Sequence, residues 1–138
     1  MSNTEERIKR YLNLGDGGFD QMMKARLVSY EEGELVLDFP THKWQVNEQG
    51  AIHGGAIAGM FETGLGIMAN VIAGEAEAVS IDMHVDFLRG IQLGDTCKMV
   101  ITLVKPGRKL IRLRGELYSC DTGKLAASAI LTSMPNEV

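Results

Sequence analysis

Between Asn47 and Gly64 the chain reads NEQGAIHGGAIAGMFETG. His53, Gly54 and Gly55 stand where a polar loop gives way to a segment of helical periodicity, and Glu62 is the only charged residue from Gly54 to Ala73. The first backbone N–H groups of a helix have no intrahelical acceptor and carry the positive end of its dipole. With no side chain at Gly54 or Gly55, a substrate oxygen can approach those N–H groups, which is what an oxyanion hole requires. The competing use of such glycines is tight packing of the helix on a sheet. Glu62 is the second element: a carboxylate in a buried helix is costly unless it has a partner or a purpose. The alternative is a structural glutamate satisfied by neighbouring donors. Gly54 and Glu62 are eight residues apart, which on one helix is about 12 Å along the axis. One ester or thioester carbonyl cannot touch both. Two such helices packed antiparallel across a two-fold axis would bring Glu62 of one protomer to Gly54 of the other, so the spacing predicts a homodimer with shared sites.

The other titratable groups are less informative. His53 is expected to order the loop or orient the Gly54 peptide, with direct proton transfer as the alternative. His84 alternates onto the polar side of its strand and reads as structural or solvated, and His42 lies in a loop. Between Cys97 and Gly115 stand six of the chain's 14 cations (Lys98, Lys105, Arg108, Lys109, Arg112, Arg114) and no acid. That run spans a hairpin turn and suits a site for phosphates held by charge-assisted contacts, though a solvated basic face has the same look. Arg89, at a strand end, is a further cation of that kind.

Composition limits the classes open to such a site. The 138 residues are 45% hydrophobic and 23% charged, which fits a globular chain and neither disorder nor a fibre. The formal charge is −4, so a general nucleic-acid binder is not expected. Cys97 and Cys120 lie in apolar stretches and read as buried, reduced thiols of a cytoplasmic protein. No ligand spacing for a metal is present. The start, from Met1 to Arg10, is polar and mixed in charge, unlike a signal peptide. The stretch from Ala51 to Ala73 is interrupted by Glu62, Thr63, Asn70 and glycines, so it falls short of a membrane span and the protein reads as soluble.

The elements that must position these residues follow from periodicity. Thr4–Leu14 gives a short amphipathic helix stopped at Gly15. Met23–Tyr30 and the stretch with Leu35, Leu37 and Phe39 give a hairpin around Glu31-Glu32-Gly33. From Gly54 to Ala73 the pattern is helical and apolar nearly all round, the mark of a buried helix whose glycines require close backbone approach. Val79, Ile81, Met83, Val85 and Phe87 then alternate with Ser80, Asp82, His84 and Asp86. Three more alternating segments follow, over Cys97–Leu103, Ile111–Leu117 and Leu125–Leu131, divided by Lys105-Pro106-Gly107 and Asp121-Thr122-Gly123. The expectation is one α+β domain over residues 1–138, an antiparallel sheet wrapped around one long central helix.

At these residues the chain resembles the hotdog-fold acyl-CoA thioesterases, in the phenylacetic-acid-degradation (PaaI-like) branch. The similarity runs through the N-terminal helix and hairpin, the HGG at 53–55, the acid nine positions after His53, and the strand VSIDMHVDFLRG. The resemblance implies that Gly54 N–H polarises the thioester carbonyl and that Glu62 is nucleophile or general base for a water. It places Asn47 near the attacking group and Ser80 among the groups holding the water. Gly66 stands where glutamate-using branches often carry Ser or Thr, leaving Thr63 to supply a hydroxyl, and Gly90 replaces the proline of the usual FLRP ending.

The expected reaction is hydrolysis of an acyl-CoA to free acid and CoA, with no cofactor beyond the CoA of substrate and product. The acyl group is expected beside the central helix, along Met60 and Phe61 near Gly55, and the CoA phosphates at Arg89, Lys105, Arg108 and Lys109. Neither nucleic acid nor membrane is an expected partner. The resemblance extends the dimer to a dimer of dimers. A hotdog hydroxyacyl-CoA dehydratase and a non-catalytic acyl-CoA-binding module are the rival readings; Glu62 argues against the second.

Overall fold

A computed structural model describes residues 3–15 and 17–136; of the expected span 1–138, residues 1, 2, 16, 137 and 138 lie outside the described residues. The elements run α1 (Asn3–Leu12), α2 (Phe19–Met22), β1 (Arg26–Glu31), β2 (Glu34–Pro40), α3 (Gly54–Ala73), β3 (Ala78–Phe87), β4 (Thr96–Lys105), β5 (Ile111–Ser119) and β6 (Leu125–Pro135). Six antiparallel strands form one sheet in the order β1-β2-β4-β5-β6-β3. α3 lies in its concave face, the arrangement called the hotdog fold. Alternation along the strands places Leu35, Leu37, Met99, Ile101, Leu113, Leu117 and Leu131 against the helix, all at 0% exposure. The strand after the helix does not pair with the next in sequence: β3 crosses to the far edge and pairs with β6.

Two glycines set how closely helix and sheet approach. A Cβ on Gly64 would stand 2.6 Å from Met99 Sδ, and one on Gly115 would stand 2.9 Å from Phe61 Cδ1. The expected close approach is therefore real at these positions, while Gly66 faces open space. α3 ends at Gly74, whose φ of 71° is the left-handed conformation that glycine adopts without a Cβ penalty. Arg7 of α1 reaches this end and donates from Nη2 to the carbonyls of Asn70 (3.0 Å) and Gly74 (2.6 Å), tying α1 to the core helix.

Three sequence expectations change here. The stretch Gly54–Ala76 is in fact long and apolar enough, by length and composition alone, to cross a membrane. Its glycines and Glu62 do not pull the average below that mark, but the sheet wraps it and ten residues of α3 are buried, as in a core helix. Cys97 is buried and Cys120 exposed, both free, because the chain turns out of the sheet after Ser119. The period-two pattern of β3 is broken: Ser80 pairs with Ser133 and Asp82 with Thr132, leaving Ile81 as the extra residue of a β-bulge. Ser80 thereby shares the inner face with Met83 and Val85, while Val79 (40%) and Ile81 (51%) are exposed.

Candidate active site

The loop before α3 is built around Asn47. Its Oδ1 accepts from Gln49 N–H (2.9 Å) and Ala51 N–H (3.1 Å), and its own N–H donates to the Ala51 carbonyl (2.8 Å). An asparagine that bonds its own loop in this way fixes a tight turn, and its NH2 group has no partner among the described residues. Val46 and Ile52 then bridge, and His53 N–H donates to the Gln45 carbonyl at 2.8 Å. His53 is the N-cap of α3: its Nδ1 accepts from Gly55 N–H at 2.7 Å. That acceptor role places the ring proton on Nε2. Gly55 N–H is thus occupied by the cap rather than open to a substrate, and Gly54 N–H is the helix-start donor with no acceptor among the described residues. The Phe87 ring lies over this end, 3.5 Å from where a Gly54 Cβ would be.

Glu62 lies two turns further along the same helix. It is exposed in the single chain, not buried as expected, because it projects from the stripe of α3 that the sheet leaves uncovered. Ser80 Oγ donates to Glu62 Oε1 at 2.7 Å, a contact that the bulge at Ile81 makes possible. The two residues line a cleft of about 380 Å³ with Tyr11, Leu14, Asp20, Thr63, Ile67 and Asn70. Thr63 is only 5% exposed, and its hydroxyl donates to Asp20 Oδ1, with Met23 Sδ at 3.8 Å. It is therefore not a spare hydroxyl for a water beside Glu62. Met60 and Phe61 are also displaced from their expected role. Both are fully buried against the sheet, Phe61 over Gly115, and the apolar wall of the cleft is Leu14 and Ile67 instead. A helix apolar all round carries no phase signal, so the sequence could not tell core-facing from cleft-facing residues.

The expected phosphate ligands fall into two groups. Lys105, Arg108 and Lys109 are exposed at the β4–β5 turn, at the end of the sheet where Ile111 pairs with Ser133 and Ser133 with Ser80. Arg89 follows β3 at the opposite end, where its N–H donates to the Ala126 carbonyl at 3.0 Å. There it shares a surface hollow with Lys124, a cation the sequence reading passed over because it sits in a turn. The reading also missed Asp20 and Tyr11, whose positions depend on how α1 and α2 dock. His84 stands exposed 3.0 Å from Asp86, away from the site. Among the described residues no cluster of three metal-ligating side chains exists.

A helix-start N–H without an acceptor among the described residues and a hydrogen-bonded carboxylate thus stand on one central helix of a hotdog scaffold. The Thioesterase superfamily model matches residues 49–126, more than half of the chain, and the protein belongs to that superfamily. Acyl-coenzyme A thioesterase 13 of Mus musculus is 28% identical over 112 residues, covering 80% of this chain and 79% of that one. The Homo sapiens protein of the same name is 28% identical over 105 residues, covering 75% and 74%. Among solved structures, thioesterase superfamily member 2 from Mus musculus superposes with a TM-score of 0.84 at 22% identity, over 99% of this chain and 100% of that one. The E. coli PaaI protein of the phenylacetic acid degradation operon gives 0.82 at 18%, over 97% and 96%.

Proposed function

We propose that the protein hydrolyses acyl-CoA thioesters, with Glu62 as the reacting carboxylate and Gly54 N–H as the oxyanion donor. The observation that carries this reading is the Ser80-held Glu62 in the cleft, on the same helix as a Gly54 N–H with no acceptor among the described residues. The two stand about 12 Å apart along the axis, so the site is completed by a second protomer with its helix antiparallel. The uncovered stripe of α3, with Gly55, Ala58, Glu62 and Gly66 all at least partly exposed, offers small residues for that approach. Antiparallel pairing also brings the partner's Gly54 end, with its Arg89 and Lys124, toward this chain's hairpin cations. Both basic groups then flank one site and suit the phosphates of CoA. The curated relatives are named as acyl-coenzyme A thioesterases, and a structural neighbour from Streptococcus mutans was solved bound to acetyl CoA.

In this mechanism the thioester carbonyl accepts from Gly54 N–H, and that bond strengthens as the oxygen becomes an oxyanion. Glu62 either takes a proton from water, whose oxygen bonds to the carbonyl carbon, or attacks that carbon directly to give an anhydride that water then opens. In both routes the C–S bond breaks, the thiolate leaves and takes a proton, and free acid and CoA result. The test is thiol release across a panel of acyl-CoAs by the native protein and by Glu62→Gln. The variant is expected to lose at least about a hundredfold in rate while acyl-CoA binding persists. Near-native release by Glu62→Gln would overturn the assignment, and binding without release by the native chain would make the protein an acyl-CoA-binding module.

A further inference from the structure

The cleft that holds Glu62 contains a second carboxylate. α2 is a four-residue helix seated on α3 at two points one turn apart. The Phe19 ring occupies the space at Gly59, where a Cβ would stand 2.6 Å from Phe19 Cζ, and Asp20 Oδ1 accepts from the Thr63 hydroxyl. These anchors, four residues apart, share a helix face and straddle Glu62. A further bond, Gly15 N–H to Gln21 Oε1 at 3.0 Å, ties Gly15 to α2. Asp20 is exposed and lines the cleft, and a carboxylate has lone pairs beyond the one Thr63 uses. Among the described residues the rest of the lining holds no lysine, arginine or histidine, so the cleft they form carries two acids and no base.

We infer that Asp20 is a specificity residue: tethered by Thr63 beside Glu62, it turns away acyl groups that end in a carboxylate and leaves the cleft to neutral acyl groups. This rests on the acyl-CoA reading above, in which the thioester stands at Glu62 and the acyl group extends into the cleft. An acyl carboxylate about 6 Å from Asp20, at an effective permittivity of about 20–40, is disfavoured by about ten- to a hundredfold. Because the cleft is open, salt weakens that discrimination.

The test compares pentanoyl-CoA with glutaryl-CoA, equal in carbon count and different in the terminal charge. Native protein is expected to prefer pentanoyl-CoA in kcat/KM. That preference is expected to fall about tenfold in Asp20→Asn, which keeps an oxygen for Thr63, and further in Asp20→Lys. Raising salt from about 0.05 to 0.5 M should shrink the native preference more than that of Asp20→Asn. A preference unchanged by both substitutions overturns the proposal. If neither thioester is cleaved by native protein, the hydrolase reading fails and Asp20 is judged on binding: the same tenfold change must then appear in the ratio of the two Kd values, and its absence overturns the proposal independently.

Discussion

Replacing Ser80 by alanine removes one hydroxyl and one hydrogen bond, the 2.7 Å donation to Glu62 Oε1. A hydrogen bond to a charged group contributes about 1.5–3 kcal/mol when enclosed, and both residues are exposed in the single chain, so the lower end applies. With Glu62 as the proposed reacting carboxylate, about 1.5 kcal/mol of lost orientation corresponds to a rate about tenfold slower. The loss should fall on kcat, with KM little changed, because Ser80 holds Glu62 rather than the substrate ground state. Stability should move by no more than about 0.5 kcal/mol. Ser80→Thr keeps the hydroxyl on a strand-compatible side chain and should restore most of the rate. Steady-state kinetics on the best acyl-CoA for the three proteins decides the matter. A Ser80→Ala protein within twofold of native refutes the positioning argument. A Ser80→Thr protein as slow as the alanine variant shows instead that shape at this position, and not the hydroxyl, controls the rate.

Two further outcomes concern the core. Gly115→Ala places a methyl 2.9 Å from a Phe61 ring carbon; overpacking of about 1–3 kcal/mol outweighs the strand gain of about 0.5–1 kcal/mol. The denaturant midpoint should drop accordingly, and Phe61→Leu in the same chain should recover part of the loss; strict additivity of the two changes would refute the contact as its source. Burial, with Asp95 adding to it, pushes the Cys97 thiol up from 9.0 to about 12. The folded chain then keeps this proton where the unfolded chain loses it, so the contribution is complete below about pH 9 and is lost as pH rises through 12. Cys97→Ala should make the alkaline fall in Tm shallower, and an unchanged slope would rule the thiol out as a cause.

α3 was legible to the residue because His53-Gly54 marks its start and Gly74 its end, both local signals. The hairpins of β1–β2, β4–β5 and β5–β6 were equally local, since short turns force neighbours to pair. β3 was not, because its place beside β6 is set by a crossover around the helix rather than by any turn. Its bulge was hidden for a related reason: VSIDMHVDF alternates without a break, and only the pairing partners reveal that Ile81 has none. Glu62 stands out in the sequence because it is a charge in an apolar helix. Asp20 was missed because its function depends on Thr63 and Gly59, more than thirty residues away. Met60 and Phe61 were misassigned because their neighbours are as apolar as they are.

The cap of α3 has a consequence for the electrostatics of its first turn. An aspartate in the place of His53 would also hold the Gly55 N–H, but it would add a full negative charge beside the donor at Gly54 and cancel the positive pole of the helix. An imidazole that accepts through Nδ1 closes the turn without placing an anion there. The helix thus gains a cap without a counter-ion, and the field at Gly54 N–H is left for the carbonyl oxygen of the proposed reaction.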